Sequence, residues 1–96
     1  MLSTPNLFHY LDYRTFLKDW FQFKKQVNPR FSHRAFARRA GQRSPSTLSD
    51  VMESRRNLTQ TTTESFCKAL ALNVEECSFF TLLVHLDQAK SVDERN

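Results

Sequence analysis

Seven arginines fall between positions 30 and 58: Arg30, Arg34, Arg38, Arg39, Arg43, Arg55 and Arg56. A guanidinium is a planar fork of donors whose geometry fits phosphate oxygens and the edge of guanine. Only Asp50 and Glu53 oppose them there, so the stretch carries +5. Residues 1–29 carry +2 and residues 59–96 carry −3, within a net charge of +4. Such a stretch takes a polyanion as its natural partner. The alternative is a merely solvated basic surface, or arginines paired with the acidic last third.

The other chemistry-bearing residues assemble into nothing comparable. His9, His33, His85, Cys67 and Cys77 do not have a metal-ligand spacing. The carboxylates form no evident catalytic pair, and there is no glycine-rich phosphate loop or nucleophile motif. The sequence therefore reads as a non-enzyme without metal or cofactor. No run of about 18 apolar residues exists to span a membrane. Residues 1–10 lack the basic-then-apolar order of a secretory signal. On that ground Cys67 and Cys77 are expected to be reduced core thiols of a cytoplasmic protein, with a disulfide as the weaker alternative.

Helices must position the arginines. Ninety-six residues with nine Phe and a single Gly suit one domain built from helices and short turns. The expected fold is all-α, a compact bundle of about five helices. Asp12 caps helix 1, Tyr13 to about Val27, whose apolar stripe is Phe16, Leu17, Trp20 and Phe21. Asn28-Pro29 ends it. Ser32 caps helix 2, His33 to Ala40, with Phe31 and Phe36 as a hydrophobic staple. Gly41 ends helix 2 in a left-handed residue. Ser44 caps helix 3, Pro45 opens it, and Leu48, Val51 and Met52 face inward. Helix 4 covers roughly Gln60 to Ala71, capped by Thr61 with Glu64 or by Thr59. Helix 5 follows an Asn73–Glu76 capping box and a Leu72–Cys77 staple, and runs to about Lys90.

Two short helices joined at Gly41 match a helix-turn-helix over roughly residues 32–54. Residues 31–72 resemble the phage-repressor and Cro-like class of bacterial regulators. The resemblance rests on Phe36-Ala37-Arg38-Arg39-Ala40-Gly41, on Leu48 and Val51, on Arg55-Arg56-Asn57-Leu58 and on Cys67-Lys68-Ala69-Leu70. More closely, the chain resembles the N-terminal region of a family of uncharacterised bacterial proteins with an inferred regulatory role. Tyr10-Leu11-Asp12-Tyr13-Arg14, Phe16-Leu17, Phe31-Ser32, Arg55-Arg56-Asn57-Leu58 and Gln88-Ala89-Lys90 carry that likeness. Members usually continue into a second, C-terminal domain, so the resemblance implies an N-terminal portion of a longer protein. One departure from the repressor pattern is a turn from Gly41 to Leu48 that is one residue longer, which implies a shifted angle for helix 3.

These readings imply a cytoplasmic, nucleoid-associated regulator of transcription whose partner is double-stranded DNA. Arg43, Ser44, Ser46, Thr47 and Ser49 are the expected base-contacting residues, with Arg43 the candidate for a bidentate contact to guanine. Arg34, Arg38, Arg39, Arg55 and Arg56 are the expected phosphate clamps. Helix 3 itself carries Asp50 and Glu53, which repel phosphates unless they accept from cytosine or pair with a neighbouring arginine. Helix 5 holds Phe79, Phe80, Leu82, Leu83, Val84 and Leu86, more apolar residues than one side of a small bundle covers. Phe79, Leu82, Leu83 and Leu86 are therefore the expected contact for a second copy or for a C-terminal domain, with a deeply buried core helix as the alternative. The competing expectation is a helical protein-interaction module without DNA binding.

Overall fold

The computed structural model describes residues 4–95, with side chains through Ala89. A short 3₁₀ turn, Leu7–His9, precedes five helices: α1 Tyr13–Val27, α2 His33–Ala40, α3 Ser46–Met52, α4 Gln60–Ala69 and α5 Val74–Arg95. No strand occurs among the described residues. None of the described helices is long and apolar enough to cross a membrane.

Local chemistry sets each helix start. The Asp12 carboxylate accepts from the Arg14 N–H (3.0 Å), and the Ser32 hydroxyl from the Ala35 N–H (3.2 Å). Each satisfies an amide that has no partner within its own helix. Thr59, and not Thr61, caps α4, in a reciprocal box with Thr62. Asn73 and Glu76 form the expected box before α5, at 2.8 and 3.0 Å. Asn6 starts the 3₁₀ turn in the same way by accepting from the Phe8 N–H.

Three helix ends share one geometry. After α2 the Gln42 N–H reaches back to the Ala37 carbonyl, after α3 the Arg55 N–H to Asp50, and after α4 the Leu72 N–H to Cys67. This six-to-one bond requires a left-handed residue just before the donor. Gly41 (φ 69°), Ser54 (φ 63°) and Ala71 (φ 58°) take that position. Nothing lies within 4 Å of where a Cβ on Gly41 would sit. Backbone conformation, not space, therefore favours glycine there.

The core is aromatic. Tyr13, Phe16, Leu17 and Trp20 bury one face of α1. The Trp20 ring meets Phe31 at 5.6 Å and Phe36 at 5.7 Å, and Phe36 meets Phe66 at 5.0 Å, all edge to face. Tyr13 and Phe16 both meet Phe80 of α5. Such offset ring pairs add about 0.5–1.5 kcal/mol each beyond the area they bury. One set of rings joins α1 to α2 and α4 through Trp20, Phe36 and Phe66, and a second joins α1 to α5 through Tyr13, Phe16 and Phe80. Phe21 is only half-buried, stacked on His33 at 4.3 Å. Burial and nearby Lys25 push the His33 imidazole below its usual pKa, which favours its neutral form at the start of α2.

Two expectations are corrected. Cys67 and Cys77 stand as a disulfide with Cα atoms 5.5 Å apart, not as separate thiols. The left-handed turn at Ala71 folds α5 back so that its first turn meets the last turn of α4. Leu83, expected at an outer surface, is a core residue at 6% exposure. It lies three residues after Phe80 and one before Val84, on the buried side of α5.

Ala71 holds a conformation that costs an L-residue about 1–2 kcal/mol. Glycine gives back part of that gain through its freer unfolded chain. Ala71→Gly is therefore expected to raise the unfolding free energy by roughly 0.5–1 kcal/mol, measured by urea titration. A loss of stability would contradict this account of the turn.

Candidate nucleic-acid interface

The basic stretch lies around the turn between α2 and α3, two helices that pack against each other. Helix α2 buries Phe36, Ala37 and Ala40. At about 100° per residue, Arg34 and Arg38 then share one outward flank and Arg39 takes the other. All three are exposed, as are Arg43 and Arg56. None of these five makes an ion pair among the described residues.

Helix α3 turns Thr47, Leu48, Val51 and Met52 inward. Its outward side is Ser46, Ser49, Asp50 and Glu53. The Ser44 hydroxyl accepts from the Ser46 N–H at 3.2 Å, as an N-cap should. The assigned helix begins at Ser46, and Pro45 already has helical angles (φ −70°, ψ −12°). The Ser44 and Ser46 hydroxyls also bond to each other at 2.7 Å.

Thr47 is a correction. At 3% exposure it cannot present its hydroxyl outward, because it stands four residues before Val51 on the core side of the helix. The remaining expected base-contacting residues reach the surface: Arg43, Ser44 and Ser46 are exposed, and Ser49 half-buried.

Arg55 differs from the other expected clamps. Its guanidinium lies 3.1 Å from the Asp50 carboxylate and 3.5 Å from the Ser49 hydroxyl. It folds back over the outward side of α3 and offsets one of that side's two carboxylates. Glu53 has no such partner among the described residues.

Sequence reasoning missed the residue that fixes the end of α3. Arg14, on α1, is 8% exposed. Its guanidinium donates to the carbonyls of Val51 and Arg56 and to the Asn57 side-chain oxygen (2.8 Å). It also lies 3.7 Å from the Asp87 carboxylate of α5. The Tyr13 ring carries the same cation at 4.8 Å. One residue on, Gln88 bonds the Leu58 backbone twice, accepting from its N–H (2.9 Å) and donating to its carbonyl (3.0 Å). The segment from Val51 to Leu58, which presents Arg55 and Arg56, is thereby tied to α1 and α5. Three motifs far apart in sequence, around Arg14, Arg55–Leu58 and Gln88, meet here. Their convergence was the available signal, but sequence spacing alone does not reveal it. Lys90, the last residue of the third motif, lies outside the residues whose side chains are described.

On α5, Leu82 (51%) and Leu86 (59%) are exposed. Phe79 is half-buried against Phe8, with ring centroids 5.2 Å apart. Of the expected contact residues on this helix, these three reach the surface and Leu83 does not.

No family model, curated protein or solved structure matches the chain.

Removing the Arg14 guanidinium leaves carbonyls and a carboxylate without their donor. Breaking a buried charged contact on one side typically costs about 3–5 kcal/mol. Arg14→Met is expected to lose roughly 3 kcal/mol in urea unfolding. Arg14→Lys should recover little, since an ammonium cannot span three acceptors arranged for a fork. A loss below about 1 kcal/mol for Arg14→Met would show that the contact has only surface strength.

Proposed function

We propose that this protein is a DNA-binding transcriptional regulator of a bacterium, acting in the cytoplasm at the nucleoid. One observation carries the reading: Arg34, Arg38, Arg39, Arg43 and Arg56 are exposed and free of carboxylate partners among the described residues, around two packed short helices. In this reading α2 and α3 form a helix-turn-helix, and α3 enters the major groove of double-stranded DNA. Arg34, Arg38, Arg39 and Arg56 take phosphates, and Arg43 takes a guanine edge. Ser44, Ser46 and Ser49 are permissive hydroxyl contacts. Arg55 reaches a phosphate only by releasing or sharing Asp50.

The resemblance to repressor-like regulators supports this proposal. So does the Asp50–Arg55 pair, which reduces the repulsion that α3 would otherwise feel from phosphates. Leu82, Leu86 and Phe79 supply an apolar stripe for a second copy of the chain, giving a dimer suited to two half-sites. The acidic outward side of α3, with Glu53 uncompensated, favours a second reading: an interaction module that pairs through α5 and does not bind DNA.

Arg38→Glu combined with Arg39→Glu separates the two readings. Both residues are exposed, so the fold should survive, as circular dichroism can verify. Duplex affinity measured by fluorescence anisotropy should fall by at least about tenfold, because fewer counterions are released. An unchanged affinity removes these arginines from the contact, and the absence of duplex binding by the parent protein favours the second reading.

Dimer formation has its own test. Leu82→Glu with Leu86→Glu should convert a dimer to a folded monomer in sedimentation velocity, since both side chains are already exposed. A parent protein that is monomeric at the concentrations used for DNA binding would refute the pairing.

A further inference from the structure

A groove of about 600 Å³ runs between α4 and α5. Its walls include Cys67, Leu72, Val74 and Cys77, with Lys68 and Ser78 among the polar residues beside them. The Cys67–Cys77 disulfide is part of this wall, with Cys67 packed in the hydrophobic core and Cys77 against it. The two cysteines differ in access: Cys67 is 5% exposed, whereas Cys77 is only half-buried. Neither the arginine surface nor the α5 stripe uses this groove.

We propose that the groove is a thiol-exchange site, in which a small peptide thiol attacks the sulfur of Cys77. Exchange proceeds by attack of a thiolate on one sulfur and departure of the other. The incoming sulfur bonds to Cys77 Sγ, and the Cys67–Cys77 bond breaks. Cys67 leaves as a thiolate and takes the proton that the incoming thiol gave up. The products are a mixed disulfide on Cys77 and a free Cys67 thiol, so no outside oxidant is needed. Access decides which sulfur is attacked, because the more open residue is the one a nucleophile in the groove meets first. Lys68 and the Asn73 amide, also on the wall, can hold a carboxylate of the peptide. The freed Cys67 remains beside the adduct and can reverse the step by attacking Cys77 Sγ.

The bridge also has a mechanical role. It joins the last turn of α4 to the first turn of α5, and α4 packs on α2, the helix that carries Arg34, Arg38 and Arg39. Exchange would therefore loosen a corner that supports the arginine surface. The chemistry proposed does not depend on that surface binding DNA.

The probe is glutathione, added to the folded full chain without denaturant. Intact mass and peptide mapping of samples quenched early in the reaction should show a glutathionyl group on Cys77, with Cys67 becoming alkylatable. Ser78→Trp and Val74→Trp replace exposed residues of the wall and should each slow the exchange by roughly tenfold by restricting access. Four results would overturn the proposal: both cysteines alkylating before any thiol is added, an adduct on Cys67, an adduct formed only in denaturant, or both tryptophan variants reacting at the parent's rate.

Discussion

The buried guanidinium of Arg14 is the contact on which the arrangement of the arginine surface depends. A cation taken out of water must find acceptors on every side. Arg14 finds them in the carbonyls of Val51 and Arg56, the Asn57 amide and the Asp87 carboxylate. Those acceptors come from the end of α3, the loop after it and α5. Satisfying one charge therefore fixes three segments together. Gln88 extends the tie by two bonds to Leu58. The loop that presents Arg55 and Arg56 has little regular structure of its own, and these side-chain bonds give it a defined course.

The same logic separates the molecule's arginines into two kinds. Arg14 is consumed by the fold, and Arg55 is partly consumed by Asp50. Arg34, Arg38, Arg39, Arg43 and Arg56 stay exposed, and the acidic last third of the sequence does not neutralise them among the described residues. Uncompensated charges of one sign raise the potential over a surface and attract the opposite charge. Leaving such charges unpaired contributes nothing to folding. That is the physical reason to connect them with an outside polyanion.

Much of the helix layout was legible in the sequence because caps are local. Asp12, Ser32 and the Asn73–Glu76 pair act within a few residues of themselves, so their types and spacing reveal where helices begin. Gly41 was legible for the same reason. Ser54 and Ala71 take the same left-handed role without glycine, and no residue type announces them, so helix ends there were less visible. Thr47 and Leu83 were misjudged because both lie beside the boundary of an apolar stripe, and only packing decides which side is covered. The cysteine pairing followed from the turn at Ala71, a tertiary consequence that ten residues of spacing do not fix. Arg14 entered the sequence reading only as the end of the Tyr10–Arg14 motif, because its partners lie more than 35 positions away.

The most direct measurement of the central claim is the salt dependence of duplex binding by the parent protein. Each phosphate neutralised by an arginine lowers the slope of log K against log salt by about 0.9. With four or five such contacts the expected plot is a straight line of slope about −4. A flat line, or no retardation of duplex at about 50 mM salt, would contradict it.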